Sequence, residues 1–72
     1  MRVELDEIII DITPLQKTAN GQLFGFEVRP KDGTPWHSGY VETTSWSSAE
    51  EIIIGAWKSN NLEQFNKNPY NL

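Results

Sequence analysis

Ser47-Ser48-Ala49-Glu50-Glu51-Ile52-Ile53-Ile54-Gly55-Ala56-Trp57-Lys58 is the stretch whose reading decides the fold. Within it Ala49, Ile52, Ile53, Ala56 and Trp57 recur at i, i+3, i+4, i+7 and i+8, the spacing of a single apolar stripe on an α-helix. Ser48 reads as the cap, with Glu50 and Glu51 in the first turn complementing the positive helix end. One helix with one stripe needs a surface to cover. The sequence upstream supplies three strand-like segments, broken by Asn20-Gly21 and Asp32-Gly33. The fold class is therefore α+β, a three-stranded antiparallel sheet (β-β-β) with one C-terminal helix packed on one face. Residues 1–72 form a single domain, of which 66–72 read as an extended tail.

The first segment, Val3 to Thr13, carries a conflict of parity. Val3 and Leu5 fall on one side of a straight strand, whereas Ile8, Ile10 and Ile12 fall on the other, so a bulge or bend is expected near Asp6-Glu7. Asn20-Gly21 is the strongest hairpin signal, because both residues tolerate the positive φ of a tight turn. Beyond it Phe24, Phe26 and Val28 alternate with Leu23, Gly25, Glu27 and Arg29. Counting outward from an Asn20-Gly21 turn sets the isoleucines opposite the charged side of that strand, so an irregularity is expected near Thr13-Pro14.

Pro30 to Pro35 brackets Asp32-Gly33 as an exposed tip, and Trp36 to Thr44 reads as the third strand. Neither parity of that strand is cleanly apolar. Tyr40 is preferred over Val41 for the core, because the Phe24-Phe26 face needs large neighbours. Ser59-Asn60-Asn61 stops the helix, and Leu62-Glu63-Gln64-Phe65 adds a short turn tucking Leu62 and Phe65 inward.

Composition excludes more than it identifies. With 72 residues and no cysteine, disulfides and thiolate metal sites are absent, and a core of this size leaves roughly 3–5 kcal/mol of net stability. The net charge of −4 opposes a phosphate-backbone binder. The β-β-β-α order is similar to that of small DNA-binding domains that lay a three-stranded sheet in the major groove. Their reading face is basic, whereas here Lys17, Arg29 and Lys31 meet Asp11, Glu27 and Glu42. His37 is the one histidine, and no nucleophile elbow, phosphate-binding glycine loop or calcium loop occurs. The chain therefore reads as no enzyme, with no cofactor and no metal. Its longest apolar run, Ile8-Ile9-Ile10, is too short for a signal core or a membrane span, so the expectation is cytoplasmic, with no membrane and no direct nucleic-acid partner.

Two surfaces remain as candidates. Trp36 at the proline-rich tip, with His37 and Tyr40, reads as a contact patch for another protein. Ile54 lies off the helix stripe beside Gly55, which admits a close approach by another surface, including a second copy. Glu4, Asp6, Glu7 and Asp11 form an acidic patch against Arg2 alone, whose plainer use is a solvated strand edge. Trp46, just before the helix, reads as core. The functional expectation is a non-enzymatic interaction or regulatory module, a homodimer among its expected forms, with an acidic inhibitor or nucleic-acid mimic as the alternative and a small-ligand binder using Trp36 and Tyr40 third.

Overall fold

The computed structural model describes residues 1–33 and 35–70. It is an α+β fold with an antiparallel meander of four strands, ordered β1-β2-β3-β4: β1 Arg2–Glu4, β2 Ile8–Thr18, β3 Gly21–Pro30 and β4 His37–Thr43. Helix α1, Trp46–Lys58, follows, and then a 3₁₀ turn, Leu62–Phe65. The fourth strand is the correction to the sequence reading. The bend at Asp6-Glu7 is a complete reversal, closed by the Leu5 N–H donating to the Ile8 carbonyl at 2.9 Å. Reversal resolves the parity conflict, since it sets Val3 opposite Ile10 and returns Val3 to the isoleucine side.

The β2–β3 connection is Ala19-Asn20, with Thr18 opposite Gly21, so the turn sits one residue earlier than Asn20-Gly21. Gly21 takes the positive φ, +134°, and a Cβ there would lie 2.6 Å from the Thr43 carbonyl oxygen. The expected irregularity is present. Gln16 pairs with Leu23 and Pro14 with Phe24, leaving Leu15 as the extra residue of a bulge. Ile12 then faces Phe26 and Ile10 faces Val28, and Ile8, Ile10 and Ile12 are all buried.

Helix α1 covers this face with Ala49, Ile53 and Ala56, flanked by half-buried Ile52 and Trp57. Its cap is Ser45, whose hydroxyl accepts from the Ser48 N–H at 3.1 Å. Ser48 instead shares a 2.6 Å hydrogen bond with Thr43 at the end of β4. Glu50 and Glu51 consequently lie past the first turn. The helix stops as the sequence predicts, with Asn60 in the left-handed region at φ 57° and the Asn61 N–H donating to the Ala56 carbonyl. Leu62 is buried, and the Phe65 ring meets Phe26 edge-on at 6.3 Å.

Val41, not Tyr40, enters the core from β4. The parity is set by Gly39, which is buried where the Phe65 carbonyl rests on it, so that His37, Gly39 and Val41 face the helix layer. Among the described residues no helix is long and apolar enough to cross a membrane.

Candidate functional site

The helix layer covers one face of the sheet and leaves the other open. On that outer face the register lays out cross-strand rows. Asp11, Glu27 and Ser38 form one, Thr13, Gly25 and Tyr40 the next, and Gln16, Leu23 and Glu42 a third. Trp36 precedes β4 on the same parity and is 59% exposed, with the Arg29 guanidinium 5.5 Å from its ring centre.

Arg29 is held from below. It donates to Asp11 at 2.6 Å and lies 3.5 Å from Glu27, while Arg2 donates to the other Asp11 oxygen at 2.9 Å. Arg2 first, and Arg29 after it, hold the Asp11 carboxyl below its usual range. The salt-bridged guanidinium thus lies against the face of the exposed indole.

Two rows further along, the glycine at position 25 leaves a depression between Leu15 and Tyr40. The bulge aims Leu15 across this outer face, its side chain 3.1 Å from where a Gly25 Cβ would stand. Leu15 is 47% exposed and Tyr40 half-buried. Leu23, though buried, lies on this outer parity and outside the main core. Tyr40 and Leu15 flank this depression, and Trp36 stands two rows away on the same face, across the polar row of Asp11, Glu27 and Ser38.

The remaining sequence candidates are dispersed. His37 turns to the opposite face and meets Trp57 edge-on at 6.3 Å, so it does not share a patch with Trp36 and Tyr40. Ile54 is half-buried against the core, and nothing lies within 4 Å of a Cβ built on Gly55, which is exposed. The close backbone approaches fall at Gly21 and Gly39 instead. Trp46 is the first helical residue, 38% exposed, with one edge against Phe24 at 5.1 Å.

Of the four acidic residues, Glu4, Asp6 and Glu7 line one depression at the β1–β2 turn beside Trp57 and Lys58, with Glu4 also paired to Lys31 at 3.0 Å, whereas Asp11 is engaged by two arginines. Among the described residues no group of three or more His, Asp or Glu side chains is placed to hold a metal ion.

Leu15 and Leu23 are the site residues that sequence reasoning passed over. The signal for Leu15 was present in the register conflict around Pro14, since an extra residue in a strand sends one side chain to the other face, and that for Leu23 in its alternation with Phe24. No family model, no curated protein and no solved structure matches this chain.

Proposed function

We propose that the protein is a non-enzymatic protein-interaction module whose contact surface is the open sheet face around Trp36, Tyr40 and Leu15. The observation that carries this reading is Trp36, more than half exposed yet held in place by a guanidinium that is itself salt-bridged from beneath. A large exposed aromatic stacked on a salt-bridged guanidinium is the composition of an interface anchor, because it contributes much contact area at little conformational cost. The shallow form of the Gly25 depression favours a protein surface over a small molecule, which seeks an enclosed pocket.

The edges of the sheet are less suited to the role. β1 has only three residues, and the C-terminal segment passes beside β4. The acidic-mimic alternative draws less support, since two of its four carboxylates are already paired within the molecule.

The test compares the wild type with Trp36→Ala, both immobilised, for the partners each retains from cell extract, with thermal unfolding measured in parallel. Loss of a specific partner at an unchanged unfolding midpoint is the expected result. Equal retention by both proteins overturns the assignment of the face.

A further inference from the structure

Arg29 shows how the open sheet face holds a guanidinium. One step beyond the Val28–His37 pair, it lies 5.5 Å from the centre of the Trp36 indole and donates to Asp11 at 2.6 Å. The ring takes the delocalised plane and the carboxylate takes the directed N–H groups. Glu27, two residues back along β3 on the same face, is used incompletely. Its ion-pair contact among the described residues is 3.5 Å to the Arg29 Nε, and that nitrogen makes no hydrogen bond. The Glu27 side chain is 42% exposed, so its acceptor capacity is open to a ligand.

On the other side of Glu27 the same constellation recurs with its cation missing. The next residue of β3 to return to this face is Gly25, and its partner on β4 is Tyr40. An aromatic residue therefore stands across from position 25 as Trp36 stands across from position 29. The depression that Gly25 leaves is lined by Leu15, Tyr40 and the carboxylates of Asp11 and Glu27, and by no lysine or arginine. Asp11 is already shared between Arg2 and Arg29, which leaves Glu27 as the unspent charge. The backbone does not demand a glycine here: its φ is not positive, and the atom nearest a built Cβ is the end of the flexible Leu15 side chain.

We propose that this depression is an arginine subsite: an arginine side chain of the partner protein lays its methylene stem over Gly25, between Leu15 and Tyr40, and brings its guanidinium to Glu27. The proposal rests on the reading of this face as the contact surface, and it names the chemistry of the partner. Charge complementarity selects a cation, since the ionisable groups lining the depression are carboxylates. The apolar wall and the absent Cβ select a long side chain with an aliphatic stem. A guanidinium suits the site better than an ammonium, because its plane stacks on a phenol while its edge engages a carboxylate. The net charge of −4 draws a basic partner from longer range.

The experiment is an NMR titration of the isotope-labelled full chain with two end-blocked pentapeptides, Gly-Gly-Arg-Gly-Gly and the same sequence carrying citrulline, which keeps the shape of arginine without its charge. The arginine peptide is expected to shift the amides of Gly25, Glu27 and Tyr40 and to bind about threefold or more tightly than the citrulline peptide, the scale of one partly exposed ion pair. Glu27→Gln is expected to remove that preference at an unchanged unfolding midpoint. Gly25→Arg, which supplies the guanidinium from within the chain, is expected to abolish binding of the arginine peptide. Equal affinity of the wild type for both peptides overturns the proposal, as does the absence of shifts at these amides. An arginine preference that survives Glu27→Gln overturns it too, because the guanidinium then sits elsewhere. The reading of the whole face is judged separately, by whether Trp36→Ala loses the partner retained from extract; that loss, with no arginine preference here, sinks the subsite alone.

Discussion

Replacing glycine by alanine at positions 39, 25 and 55 adds one identical methyl group to three different environments, and the structure assigns each a different outcome. At Gly39 the added Cβ would stand 2.8 Å from the Phe26 ring and 3.0 Å from the Phe65 carbonyl carbon, closer still to the carbonyl oxygen. Two of those three atoms are backbone, so the 3₁₀ turn itself must move. Overpacking of this sort costs about 1–3 kcal/mol, and immobile neighbours place Gly39→Ala in the upper half, near 2 kcal/mol. At Gly55 nothing stands within 4 Å and the residue is exposed inside a helix. Gly55→Ala therefore stabilises by about 1 kcal/mol through helix propensity and reduced unfolded-state entropy. At Gly25 the neighbour is the terminus of the exposed Leu15 side chain, which can yield, so Gly25→Ala stays within about 0.5 kcal/mol of wild type.

Urea unfolding followed by tryptophan fluorescence reads all three. With a slope near 1 kcal/mol per molar, Gly39→Ala lowers the midpoint by about 2 M and Gly55→Ala raises it by about 1 M. Thermal midpoints move in the same directions, by about 4–8 °C per kcal/mol for a domain of this size. A Gly39→Ala protein with the wild-type midpoint refutes the seating of Phe65 on β4. A lowered midpoint in Gly55→Ala refutes the open helix surface and restores that glycine as a point of close approach.

Ile10→Val lowers stability by about 1 kcal/mol, since Ile10 is fully buried, whereas Ile9→Val on the outer face costs less than half as much; urea midpoints decide between them. Ser45→Ala costs about 1 kcal/mol as the true cap and Ser47→Ala stays within about 0.5 kcal/mol, by the same measurement. Asp11, held by Arg2 and Arg29, has its folded pKa below the unfolded value of about 3.9, so its stabilisation is complete above that pH and is lost as pH falls through the folded value. Asp11→Asn is accordingly less stable than wild type at pH 7, and the two stabilities converge as pH falls through the folded value of Asp11; parallel curves across the acid range overturn the assignment.

The helix, its stop and the burial of Phe24, Phe26, Val28 and the three isoleucines were legible because periodicity over several turns or pleats constrains them jointly. β1 was not, because three residues are too few to show a period, and a bulge or a reversal equally satisfies the clash between Val3 and Ile8. The cap was misplaced because Ser45, Ser47 and Ser48 each offer a hydroxyl before the apolar stripe. Which one caps depends on Thr43, and Thr43 reaches Ser48 only once β4 and α1 are docked. The choice of Val41 over Tyr40 turned on a contact between Gly39 and Phe65, 26 positions apart, to which local alternation is blind. The expected contact patch is divided by strand alternation itself, which sets His37 on the face opposite Trp36 and Tyr40 whichever side enters the core.

The bulge at Leu15 links the core to the open face. The Ala19-Asn20 turn sets Gln16 opposite Leu23; continued without interruption, that register would place Ile12 opposite Glu27 and Ile10 opposite Arg29. Three isoleucines would then leave the core, at about 1.5–3 kcal/mol each, more than the whole net stability of so small a domain. One extra residue avoids this, and the pleat sends its side chain across the outer face over Gly25. The exposure of Leu15 is thus a consequence of packing the opposite side and is no evidence of binding by itself. Trp36 and Tyr40 are under no such compulsion: nothing in the core register requires an indole at the β3–β4 tip or a phenol opposite Gly25. The case for a contact surface therefore rests on these two aromatics and on the salt-bridged guanidinium that holds the first of them in place.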